Sequence, residues 1–155
     1  MTLILLIILF LAGGALGSVF VSSSITTWYA FLKKPFFSPP AFVFAPVWTV
    51  LYILLAVFYW RLDKIYDKSK DKNLIKKLKG IFILQMVLNY MWTPVYFGLH
   101  SILGGLIVIL MLDFFVAKMT LLSYKVDKKC FYISLIYLLW LSYATSLNLG
   151  IFILN

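Results

Sequence analysis

The chain has no glutamate. Its five acidic residues are all aspartate, and 155 residues hold one histidine and one cysteine. Only one acid, Asp113, falls inside an apolar stretch, so a paired-carboxylate mechanism has no candidates. The single His100 excludes the usual multi-histidine metal clusters. The single Cys130 forms neither an internal disulfide nor a CxxC metal site. No HExxH pattern, Gly-rich phosphate loop or Ser-His-Asp arrangement occurs. Charge itself is scarce: 12% of residues are charged, against about a quarter in ordinary soluble domains. No separate hydrophilic module is visible, and a single domain covering 1–155 is expected.

Apolar residues fill that space. They make up 64% of the chain, more than a soluble fold of this length can hide from water but a natural composition where lipid solvates the outer surface. A crossing helix needs about 20 predominantly apolar residues. Five stretches qualify: 3–21, 42–60, 80–97, 101–124 and 131–154. The sequence therefore predicts an all-α membrane protein, a bundle of five transmembrane helices. The first stretch has no basic residue before it and stays apolar through Val21, so it is expected to be a retained span rather than a cleaved signal.

Net charge is +9, from 14 basic residues. These fall mainly between the apolar stretches, which points to membrane topology rather than to a nucleic-acid partner. The connection 61–79 carries eight basic residues and 125–129 carries three; 22–40 carries only Lys33 and Lys34, and 98–100 carries none. The positive-inside rule then places the N-terminus in the cytoplasm and the C-terminus outside. Attraction to anionic membrane lipid is a second consequence of the basic connection.

Within the spans, Asn89 and Asn148 must find partners in a hydrocarbon setting and are expected to point inward. Pro94 frees a backbone carbonyl, which also calls for protein or water beside it. Trp48 and Tyr52 are one turn apart, and Trp140, Ala144 and Asn148 follow at i, i+4, i+8. Together they suggest an aromatic interior with a few amides, suited to a flat, largely apolar ligand; bundle core plus an aromatic belt accounts for the same residues. Asp113 suggests either an intramembrane proton or cation site or a structural bond to another helix. Gly13 and Gly17 are spaced as GxxxG, a pattern that serves a dimer face or close packing inside a bundle. The connection 22–40 is long and proline-rich, and reads as either an interfacial belt or a semi-rigid lid.

Trp28-Tyr29, Lys34-Pro35, Pro39-Pro40 and Pro46-Val47-Trp48 form the pattern WY-x4-KP-x3-PP-x5-PVW. With Asn89-x2-Trp92-x-Pro94 and Ala144-Thr145-x2-Asn148, it strongly resembles the TspO/translocator protein family, also called tryptophan-rich sensory protein or peripheral-type benzodiazepine receptor. The resemblance implies a five-helix bundle, commonly a homodimer, that binds porphyrins, haem, sterols or benzodiazepine-type ligands beneath the first loop. It implies that Trp48, Trp140 and Ala144 line the cavity; Tyr52, one turn after Trp48, is expected beside them from its spacing. Trp28, Tyr29, Pro39 and Pro40 would belong to the lid, while Asn89, Trp92, Thr93 and Asn148 would come from the third and fifth spans. It also implies a tetrapyrrole-binding membrane sensor or regulator, with no covalent cofactor, no bound metal and no nucleic-acid partner. Two alternatives are a light-dependent porphyrin-degrading enzyme using Trp48 and Trp140, and a tetrapyrrole or sterol transporter. The family's sterol-recognition pattern is missing near the end of the fifth stretch, because no Lys or Arg follows Tyr143; the matches at Leu62-x3-Tyr66-x-Lys68 and Leu122-x-Tyr124-x3-Lys128 are too loose to carry weight. The transporter alternative lacks an inverted repeat or paired broken helices.

Overall fold

The computed structural model describes residues 2–155. It is all helical, with no strand among the described residues. Five helices are long: α1 (Leu3–Ser24), α3 (Phe44–Tyr66), α4 (Lys72–Thr93), α5 (Ile102–Val126) and α6 (Lys128–Leu154). A single-turn helix, α2 (Trp28–Phe31), sits in the first connection, which ends in a 3₁₀ turn, Ala41–Val43. The long helices close a ring in the order α1, α3, α6, α5, α4 and back to α1.

Four helical segments are long and apolar enough to cross a membrane: Leu3–Ser24, Ala41–Tyr66, Ile102–Val126 and Lys128–Leu154. The expected third crossing, 80–97, is not among them. Its helix starts eight residues earlier, at Lys72, so its first turns carry Lys72, Lys76, Lys77 and Lys79. Asp71 sets that start: its carboxylate accepts the Leu74 N–H at 2.8 Å, satisfying a donor that the helix leaves free. The α-helical part stops at Thr93, because Pro94 has no N–H and its ring crowds the preceding turn. The chain then widens into one π turn, Pro94–Gly98, closed by Leu99 N–H donating to the Pro94 carbonyl at 2.9 Å.

The bundle is solid at one end and hollow at the other. Leu55, Phe58, Leu62, Ile75, Val116 and Met119 are fully buried and fill the half nearest the basic connections. Two ion pairs brace that end. The Arg61 guanidinium donates twice to Asp127, at 2.8 and 3.1 Å, and Lys79 bonds to Asp63. Asp127 also caps α6 by accepting the Cys130 N–H at 2.9 Å. The Arg61 partner and this backbone bond hold the Asp127 carboxyl below its ordinary range, at about 2.

Gly13 and Gly17 lie inside the bundle. A methyl group at Gly13 would strike the Tyr90 ring and one at Gly17 would press on Thr93, so both glycines let α1 approach α4 closely. The outward faces carry exposed apolar side chains such as Leu5, Leu9, Ile107, Phe114 and Leu139, as a lipid-facing surface requires.

Candidate functional site

At the end opposite the basic connections, the ring encloses a cavity of about 500 Å³. All five long helices contribute to its wall. Helix α1 supplies small residues, Gly14, Ala15, Gly17 and Ser18, which leave room rather than fill it. From α3, Phe44, Trp48, Thr49 and Tyr52 follow at helical spacing along one face.

The Asn89 amide joins three helices across the deep wall. The Tyr52 hydroxyl donates to Asn89 Oδ1 at 2.7 Å, and Asn89 Nδ2 donates to the Tyr137 oxygen at 2.8 Å. This bridge ties α3, α4 and α6 below Trp48, whose ring lies 5.7 Å from that of Tyr52 and edge-on to Tyr137 at 6.4 Å. The bridging Asn89 amide therefore serves the wall.

Other polar groups on the wall have no protein partner. They are the Trp92 indole N–H, the Tyr96 hydroxyl and both amide atoms of Asn148. Each is buried, and an unpaired buried donor or acceptor is costly unless something else binds it. They give the cavity three unpartnered hydrogen-bonding points in an uncharged lining that also holds the hydroxyls of Ser18, Thr49 and Thr93. No ionisable Asp, Glu, His, Lys or Arg side chain lines it.

Eight of the twelve residues expected at the ligand site line this cavity. Tyr29, Trp48, Tyr52 and Asn89 are four of them; Trp92, Thr93, Ala144 and Asn148 are the others. Trp28, Pro39, Pro40 and Trp140 do not line it. Trp28 lies at the outer edge, stacked on His100 with ring centroids 4.7 Å apart and edge-on to Tyr96 at 5.4 Å. Pro40 starts the 3₁₀ turn by accepting the Val43 N–H at 3.0 Å, and so presents Ala41 to the cavity mouth.

Trp140 differs from the sequence expectation for a geometric reason. Each step of four residues overshoots a full helical turn by about 40°, so Trp140 and Asn148 point about 80° apart. The inward row of α6 is instead Tyr137, Leu141, Ala144, Asn148 and Ile151, at alternating spacings of four and three. Trp140 faces an external groove between α3 and α6 with Val47, Val50, Ile136 and Leu139. Its ring meets Phe44 edge-on at 6.2 Å, and so backs the cavity wall from outside.

The first connection is fastened over the hollow end at two places. Toward α6, Tyr143 donates to the Phe37 carbonyl at 2.8 Å, and the Asn155 side chain bonds both the N–H and the carbonyl of Lys33 at 2.9 Å. Toward the α4–α5 turn, Tyr29 packs on Phe97 at 5.4 Å between ring centroids. There Ser24 Oγ donates to the Phe97 carbonyl at 2.8 Å and sits 3.0 Å from His100 Nε2. With its own hydrogen used, that oxygen is left to accept, which assigns the proton to Nε2. His100 holds a positive φ of 51° to make this turn. Burial under the connection raises the Tyr29 hydroxyl above its ordinary pKa.

Asp113 is not part of the lining. It accepts the Thr145 hydroxyl at 2.6 Å and so joins α5 to α6, while its other oxygen is buried without a partner. Among the described residues no group of three or more His, Cys, Asp or Glu is placed to hold a metal. Sequence reasoning missed Tyr96, Phe97 and Phe44, which line the cavity, and Tyr137 behind it. Tyr137 was readable from the alternating four-three row; Tyr96 depends on the π turn, which has no clear sequence signature beyond Pro94.

Comparisons with known proteins cover nearly the whole chain. The model of the TspO/MBR family matches residues 6–154. The chain is similar to a protein named tryptophan-rich protein TspO from Archaeoglobus fulgidus, 36% identical over 148 residues, covering 94% of this chain and 91% of that one. It is similar to another of the same name from Chlorobaculum tepidum, 36% identical over 155 residues, covering 100% of this chain and 96% of the other. The human translocator protein is 31% identical over 136 residues, 88% of this chain and 79% of its own.

Proposed function

This chain belongs to the TspO/MBR family, and from that premise we propose that it is a tetrapyrrole-binding membrane sensor or regulator. It is a multi-pass integral membrane protein. The observation that carries the ligand reading is the cavity: about 500 Å³, aromatic, free of charged lining residues and provided with unpartnered hydrogen-bonding groups at Trp92, Tyr96 and Asn148. A porphyrin or haem has a flat apolar body that stacks on aromatic rings and polar edges that accept hydrogen bonds.

In this reading α4 is the fifth crossing. Its lysines lie at one end, where they snorkel to the interface, and its remaining turns are apolar apart from inward-pointing Gln85 and Asn89. The eleven basic residues at the packed end face the cytoplasm, with the N-terminus, and the capped cavity opens on the other side. A homodimer forms through outward faces, since Gly13 and Gly17 are already occupied by α4.

The test is a titration of the detergent-solubilised protein with protoporphyrin IX, read by tryptophan fluorescence. Saturable quenching is expected. Trp48→Ala should weaken binding at least tenfold, because it removes a ring from the wall, while Trp140→Ala should change it less than threefold. Non-saturable quenching, or equal losses in the two variants, would reject the assigned cavity.

A further inference from the structure

The wall of the cavity has no charge, yet the proposed ligand class is acidic at its edge: protoporphyrin IX carries two carboxylates on flexible arms. A carboxylate pushed into this lining would meet only neutral donors, and an uncompensated charge in a low-dielectric site is strongly disfavoured. The carboxylates therefore belong at the mouth, and the charges near the mouth decide whether an acidic ligand is favoured.

The charged side chains there are few and of one sign. Four aspartates lie at the opposite, packed end, and the fifth, Asp113, is bonded to Thr145 between α5 and α6. The connection over the cavity carries only Lys33 and Lys34. His100 is engaged elsewhere, stacked on the outer ring of Trp28 and bonded to Ser24. Lys33 is held through its backbone against Asn155, on the α6 side. Lys34 is different. Its ammonium sits over the ring of Tyr29, 4.6 Å from the centroid, and Tyr29 lines the cavity. Neither of the two ion pairs among the described residues involves it.

We propose that Lys34 is a specificity-determining residue: its ammonium, poised over Tyr29 at the cavity mouth, takes a carboxylate from the edge of a ligand whose uncharged body fills the cavity. The inference rests on the tetrapyrrole reading above and narrows it to the acidic members of that class. An ammonium on a four-carbon stem suits the task, because it leaves the ring face and reaches an anion without moving the backbone. The site is exposed to solvent, so salt weakens the preference.

The experiment compares protoporphyrin IX with its dimethyl ester, which keeps the ring and removes both charges. Both are titrated against the wild-type protein and against Lys34→Gln, Lys34→Arg and Lys33→Gln, at low and high salt. The wild type is expected to bind the free acid about five- to tenfold more tightly than the ester at low salt. Lys34→Gln should abolish that preference by lowering affinity for the acid alone, whereas Lys34→Arg and Lys33→Gln should keep it. Equal wild-type affinity for acid and ester overturns the proposal. So does a parallel loss of both ligands in Lys34→Gln, or the same loss in Lys33→Gln. If the wild type binds neither compound, the tetrapyrrole reading itself falls and takes this inference with it.

Discussion

Trp92 lies flat on Tyr96, with ring centroids 4.9 Å apart and planes 12° from parallel. The two residues come from opposite sides of Pro94, and the π turn brings their rings into register. Both line the cavity, and the indole N–H and phenol O–H are both buried without a protein partner. The stack therefore presents two donors from one rigid pair.

That arrangement separates recognition from packing. Trp92→Phe keeps an aromatic ring on Tyr96 but removes the N–H together with part of the indole surface. Its affinity for protoporphyrin IX should fall about three- to tenfold, the effect of one hydrogen bond, while the thermal midpoint in detergent changes little. Asn148→Leu removes a donor and an acceptor and should weaken binding at least as much. Calorimetric or fluorescence titration of both variants checks this.

Asn89 is predicted to behave in the opposite way, although it lines the same cavity. Both polar atoms of its amide are bonded, Oδ1 to Tyr52 and Nδ2 to Tyr137. Asn89→Leu strands two buried hydroxyls and should destabilise the bundle by about 1–2 kcal/mol. The thermal midpoint should fall, and Tyr137→Phe in the same background should restore part of it. A loss of ligand affinity with unchanged stability would contradict this division of roles.

The Arg61–Asp127 pair makes a pH prediction. Its carboxyl is depressed to about 2 in the folded protein and titrates near 4 when unfolded. Because the folded value is the lower one, the stabilisation is complete above about pH 4 and is lost as pH falls towards 2. Thermal midpoints measured between pH 5 and 2 should decline for the wild type and decline less for Asp127→Asn, which starts lower because it has already lost the ion pair.

Orientation is tested by placing a cysteine at Ser69, in the connection between α3 and α4. A membrane-impermeant maleimide added to intact cells should leave Ser69→Cys unlabelled and label it after lysis. Cys130 is buried and should contribute little background. Labelling in intact cells would reverse the assigned topology.

Much of this architecture was legible from hydropathy, because lipid-facing helices must be apolar over their whole length. The ends of α5 and α6 fall within a few residues of the expected stretches. Helix α4 was harder. A window that seeks apolar runs begins at Gly80, whereas the helix is set by the Asp71 cap and continues through lysines, which are good helix formers. In the site, the one-turn spacing of Trp48 and Tyr52 was readable, as was the inward demand of the two asparagines. Trp140 lies off the inward row because i, i+4, i+8 drifts around a straight helix. What remained hidden was which amide is satisfied. Asn89 and Asn148 look alike in sequence, and only the positions of Tyr52 and Tyr137 on other helices distinguish them.

The unequal filling of the bundle limits where a guest molecule can go. Below Trp48 the interior is closed by the Tyr52–Asn89–Tyr137 bridge and then by Leu55, Phe58 and Val116, with no measurable exposure. The hollow is thus closed at its deep end. A guest cannot pass on to the packed end unless α3, α4 and α6 come apart and break the bridge. Two approaches remain: the mouth beneath the first connection, and the flank where the lining residues Ala15 and Ser18 of α1 and Ala45 and Thr49 of α3 stay exposed.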